Sequence, residues 1–149
     1  MFYITIDGQI RNKKQLYNFT ESVLQHFFKY RVKRPVDINM KIVKHLPDND
    51  MGLCDGDRDE VNIDIAKGYL DENDQYQLYD YDLVIRTVAH ELIHAKQFIR
   101  GQMSSTSDNW IEKGVKKDCR RLPYKKLPWE KEAYGLEDEL FETYWNSKV

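Results

Sequence analysis

Cysteine is nearly missing from this chain: Cys54 and Cys119 are the only two in 149 residues. They stand far apart and in no Cys-x-x-Cys pair, which argues against a disulfide framework and against a cysteine zinc ribbon. Two reduced thiols with structural roles is the plain reading. Proline and glycine are sparse as well, at four and seven residues, and nowhere gather into a linker. No internal repeat or low-complexity tract occurs. No apolar run approaches the roughly 20 residues of a membrane span, and Met1 to Gly8 lacks a signal peptide's basic end and apolar stretch. An intracellular, cytoplasmic protein without a membrane partner is therefore expected. An excess of one charge is missing too: 23 Lys and Arg against 25 Asp and Glu leave a net charge of −2. Nothing draws the whole molecule to nucleic acid or an anionic membrane.

What is present fits one globular domain over 1–149, with 41% hydrophobic and 13% aromatic residues to build a core. Phe2 to Ile6 reads as a strand that turns at Asp7-Gly8. Asn12 with Gln15 resembles a capping box. Leu16, Phe19, Val23, Phe27 and Tyr30 then recur at helical spacing, so a helix is expected until shortly before Pro35. Val36, Ile38, Met40 and Ile42 alternate with polar residues as a half-buried strand, and Val61, Ile63 and Ile65 do the same. A short strand near Leu53 lies between them. Asp71 to Asp80 reads as a polar loop. Tyr81 to Arg100 is the best helix of the chain, stopped by Gly101. Met103 to Pro128 is long and irregular, and Trp129 to Trp145 forms a last helix after Pro128. The fold class is α+β, with helices packed on one small sheet.

The chemistry centres on His90-Glu91-Leu92-Ile93-His94. Two histidines four apart on a helix stand one turn above each other and can reach one ion. The glutamate beside the first cannot ligate in that geometry, but it can take a proton from a water at the metal. Chance produces this five-residue pattern in roughly one chain of this length in two hundred. On the helix, Val84, Val88, Leu92, Ala95 and Ile99 form an apolar stripe, with Ile85 at its margin. His90 and His94 fall nearly opposite, facing a cleft.

A catalytic zinc takes three protein ligands and keeps one position open. Cys119 is one source of the third; the acidic last helix is the better one. There Trp129, Ala133, Leu136, Leu140 and Tyr144 define the buried stripe. Glu130 and Glu137 lie inside or beside it, whereas Glu132 lies roughly 110° from its centre. A carboxylate on an apolar face calls for a partner or a metal. Glu130 is thus the first choice as ligand, Glu132 the alternative, and Glu137 a partner that orients a histidine. Tyr124 and Tyr134 are candidate donors to an oxyanion. His26 and His45 have no partner at ligand spacing.

His90-Glu91-Leu92-Ile93-His94 followed by Glu130-Lys131-Glu132-Ala133 resembles the gluzincin metallopeptidases, in which a later helix supplies a glutamate with a small residue three positions on. Tyr134 stands where many of them carry an acidic residue. Gln97, Gly101 and Pro128-Trp129-Glu130 extend the likeness, over about the last seventy residues, to small SprT-like metallopeptidases of bacteria and tailed phages. The cysteine ribbon that often follows the SprT-like core is missing. The resemblance implies a minimal zincin-like domain, one Zn2+ per chain, Glu91 as general base in a hydrolase of protein or peptide, and a bacterial or phage-infected cell as the setting.

Three further expectations concern access and partners. The strand Val61 to Ile65, if at the sheet edge, can bind an extended peptide by strand addition. Lys113 to Lys126 carries seven basic residues and only Asp118 as an acid. A solvated loop is preferred there over a nucleic-acid contact, although some SprT-like proteases are linked to DNA. A catalytically weak zinc-binding regulatory or virion module is the competing reading. The long loop can also cover the cleft, with Cys54 or a nearby aspartate at the open metal position.

Overall fold

The computed structural model describes residues 1–29 and 32–146. Strand β1 (Phe2–Asp7) crosses through helix α1 (Lys13–Phe27) to β2 (Val36–Val43). After a turn at Pro47–Asn49 come β3 (Gly52–Gly56) and β4 (Glu60–Ala66), then the short pair β5 (Gly68–Leu70) and β6 (Tyr76–Leu78). The long helix α2 (Tyr81–Ile99) leads to a hairpin of β7 (Asn109–Glu112) and β8 (Val115–Asp118). Helix α3 (Pro128–Phe141) closes into a wider turn over Glu142–Asn146. This is an α+β fold.

The main sheet has the order β1-β2-β4-β3. β1, β2 and β4 run parallel, with Ile38 opposite Ile4 and Val61; β3 reverses and pairs antiparallel to β4. Alternation decides which face is covered. Val36, Ile38, Met40 and Ile42 of β2 and Val61, Ile63 and Ile65 of β4 are buried under the helices. The opposite face carries a polar ladder, in which Thr5 Oγ1 donates to Asn39 Oδ1 (3.1 Å) and Asn39 Nδ2 to Asn62 Oδ1 (3.2 Å). Leu16, Phe19, Val23 and Leu24 of α1 and most of α2 join the inward residues in one hydrophobic cluster. Each such side chain contributes about 1.5–3 kcal/mol by leaving water.

Helix α2 is buried on more sides than an apolar stripe requires. Val84, Val88, Leu92, Ala95 and Ile99 are all at most 4% exposed, and so are Ala89, Ile93 and Phe98. The second covered side belongs to α3, where Ala133, Leu140 and Phe141 are buried. Arg86 fastens the two helices by pairing with Asp138 and lying over the Phe141 ring. Cations finish two helix ends where carbonyls lack partners. Arg34 donates to Ile99 O (2.8 Å) and pairs with Asp59, and Arg100 donates to Phe27 O.

The structure corrects several local expectations. Asn12 does not cap α1 with its side chain, because its backbone is left-handed (φ 60°) instead of extended. The helix stops at Phe27, well before Pro35, and Tyr30 lies outside the described residues. β6 lies inside the stretch read as a polar loop and pairs with β5 just before it, and β7 and β8 interrupt the loop from Met103 to Pro128. β6 and β8 are exposed throughout or nearly so, so no burial alternation marked them. The tight turn of the second hairpin has positive φ at both Lys113 (51°) and Gly114 (78°). Strand β4 is internal, not an edge; the edge strands are β1 and β3. Among the described residues no helix is long and apolar enough to cross a membrane.

Candidate metal centre

Helical spacing brings the two histidines together. The His90 and His94 rings meet edge to face with centroids 4.9 Å apart, and their Nε2 atoms lie 3.2 Å from each other. Proline at the first position of α3 starts that helix in register, and its first turn turns Glu130 inward. Glu130 Oε1 lies 3.1 Å from both Nε2 atoms. Glu130 is 8% exposed and His94 6%. Among the described residues, His90, His94 and Glu130 are the group that could hold a metal ion.

The other side of each ring explains why this triangle attracts a cation. His90 Nδ1 donates to Glu137 Oε2 at 2.8 Å, since a carboxylate there can only accept. His94 Nδ1 lies 2.7 Å from Gln97 Oε1 and donates to it. Neutral rings with their protons on Nδ1 point a lone pair inward from each Nε2. Two lone pairs and a carboxylate oxygen then converge with no positive charge among them. Extra protons or a cation must fill the gap. The pKa shifts of the metal-free cluster follow from this. Burial pulls the His90 pKa down, but hydrogen bonds to Glu130 and Glu137 outweigh it and raise the value from 6.5 to about 9. His94 is also raised: burial pulls it down, but its hydrogen bonds to Glu130 and Gln97 and the charges of Glu91 and Glu130 together outweigh that. Burial works against the Glu130 carboxylate as well, yet the two histidines hold it at about 2.

No family model, curated protein or solved structure matches this chain.

Around the triangle lies a cleft of about 710 Å³ between β3, α2 and α3. Glu91 stands on its wall, 5% exposed. Burial raises its pKa to about 6, against the pull of His94 and His90. Gly52 of β3 explains how strand and helix come so close. A Cβ there would sit 2.8 Å from Thr87 Cγ2 and 2.9 Å from Glu91 Cγ, so only glycine fits. Cys54, two residues along β3, lines the same cleft. Its thiol is pushed well up by burial and by the charges of Glu91 and Asp55. It is not part of the metal-capable group. Tyr134 lies against the His90 ring with centroids 4.7 Å apart, and its hydroxyl is 3.3 Å from that of Tyr124. Both tyrosines line the cleft.

Glu132 points elsewhere. It pairs with Lys96 and accepts from Gln97 Nε2 at 3.0 Å, because one further helical step of about 100° for each residue takes it around from the face of Glu130. Cys119 is buried with Sγ 3.6 Å from Lys117 O, outside the cluster. His26 Nδ1 meets the Tyr144 hydroxyl at 2.8 Å, and His45 also lies outside the cluster. Of the basic stretch, Lys113 and Lys116–Lys117 stand exposed on the second hairpin, while Arg120 folds back onto Asp118. Two participants escaped the sequence reading. Gln97 was visible as part of a motif, but its partner depends on a rotamer. The tight packing of Gly52 is a tertiary fact that no local pattern carries.

Proposed function

We propose that this protein is a zinc-dependent endopeptidase of the gluzincin type, similar to the small SprT-like metallopeptidases. The observation that carries the reading is the convergence of His90, His94 and Glu130 in a cleft that also holds Glu91. Tetrahedral zinc ligands at about 2.0–2.1 Å from the ion stand roughly 3.3 Å apart. The spacings of 3.1–3.2 Å among the three donor atoms fit that set with little adjustment. Two nitrogens and one carboxylate oxygen suit zinc and leave a fourth position for water or substrate.

Zinc, when bound, lowers the pKa of a water and polarises a carbonyl. The chain supplies the rest. Glu91 would take the proton from the attacking water and hand it to the leaving amine. Tyr124 and Tyr134 offer hydroxyls to the developing oxyanion. The unpaired edge of β3 leads straight into the cleft and supports an extended peptide as substrate, by strand addition. This replaces β4, which has no free edge.

The test is direct. The purified protein should carry about one zinc per chain and cleave an unfolded protein such as casein. Glu91→Gln should keep the zinc and lose the cleavage. Zinc retained with no cleavage of any unfolded substrate would instead establish a zinc-binding module, and a protein that takes up no divalent metal would end the reading altogether.

A further inference from the structure

Gln97 is fully buried, and its amide has two orientations that electron-rich neighbours can tell apart. One end faces His94 Nδ1 at 2.7 Å. The other faces two acceptors, Trp129 O at 3.0 Å and Glu132 Oε1 at 3.0 Å. Neither acceptor can donate, so the NH2 group must lie on their side and the carbonyl oxygen on the side of His94. His94 is then compelled to donate from Nδ1, and its Nε2 is left with the lone pair.

Lys96 holds Glu132 in place beside the Gln97 amide. That lysine is only 4% exposed, pairs with Glu132, and is steadied by Gln102 Oε1 at 3.1 Å. A buried ion pair of this kind adds little net stability by itself. Its position suggests a use: the chain Lys96–Glu132–Gln97–His94 runs from one helix to the other and back. The same amide also grips the carbonyl of Trp129, the neighbour of Glu130.

We propose that Glu132, held by Lys96, is a positioning residue that fixes His94 in its Nδ1-protonated form through Gln97, and thereby sets the metal affinity of a site it does not touch. The inference rests on the metal-site reading above. It gives Glu132 a function other than ligation and explains why an acidic residue two positions after Glu130 is directed into a lysine.

The test has two independent readouts. Nitrogen-15 spectra of the histidine rings, taken on metal-free protein at a pH high enough to neutralise both, report which nitrogen of His94 carries the proton. Competition with a chromophoric chelator reports zinc affinity. The wild type should show the Nδ1-protonated ring. Gln97→Met should lose that preference and bind zinc about 10- to 100-fold more weakly, the range typical of lost ligand-orienting contacts. The paired change Lys96→Met with Glu132→Leu removes both charges together, so no charge is stranded, and should weaken zinc by about 10-fold. Glu132→Gln keeps an acceptor for Lys96 and Gln97 and should retain the wild-type ring form. A wild-type His94 protonated on Nε2 overturns the proposal, as does a paired variant with unchanged ring spectra and affinity. A wild type that shows the expected ring form but takes up no zinc overturns the metal reading instead.

Discussion

Zinc loading should depend steeply on pH, and the structure says in which direction. In the metal-free protein His90 has a pKa of about 9, raised by Glu130 and Glu137 against the effect of burial. At pH 7 its neutral, ligating form is therefore about one part in a hundred, a deficit of about 2.7 kcal/mol. His94 is raised as well and adds a second competing proton. Zinc must displace these protons, so its apparent affinity rises with pH between 6.5 and 8.5. The logarithm of the association constant should climb by between one and two per pH unit. Above about pH 9 the contribution of His90 levels off. The same shifts govern the metal-free fold. Glu130, lowered from 4.5 to about 2, stabilises above pH 4.5 and loses that effect as pH falls towards 2. His90, raised from 6.5 to about 9, stabilises below pH 6.5 and loses it as pH rises through 9. The cluster thus contributes in full between pH 4.5 and 6.5, by about 3 kcal/mol, one interaction shared by its partners. Chelator competition measures the first effect, and thermal unfolding of metal-free and zinc-loaded protein at pH 5.5 and 9 measures the second. A pH-independent zinc affinity would refute the reasoning, because the inward lone pairs would then be unprotonated before the metal arrives.

Three other outcomes follow from named contacts. Gly52→Ala would drive a methyl group into Thr87 and Glu91; zinc content should hold while casein cleavage falls by about 10- to 100-fold, as expected for a displaced base. Glu137→Gln removes the carboxylate behind His90 and should weaken zinc by about 10-fold or more in chelator competition. Leu92→Ala opens a cavity at a fully buried position between the two histidines of α2, and denaturant titration should show a loss of about 2–5 kcal/mol.

The pair His90 and His94 could be read from the chain alone, because their relation is a property of one helix and needs only its pitch. The phase of α3, fixed by a proline start and an apolar stripe, also ranked Glu130 first as the inward carboxylate and put Glu137 beside it, but it left Glu132 and Cys119 open. The inward faces of β2 and β4 were legible for the same reason: alternation is local. Everything that depends on two elements meeting came from the fold instead. Strand order made β3, not β4, the free edge at the cleft, and exposed strands such as β6 and β8 carry no burial pattern to read. The close approach of Gly52 to Glu91 and the attachment of Glu132 to Lys96 depend on helix and strand separations that no periodicity encodes. The histidine pair is a local fact, but its inward lone pairs are set by Glu137 on the neighbouring helix and by a glutamine whose orientation the rest of the fold imposes.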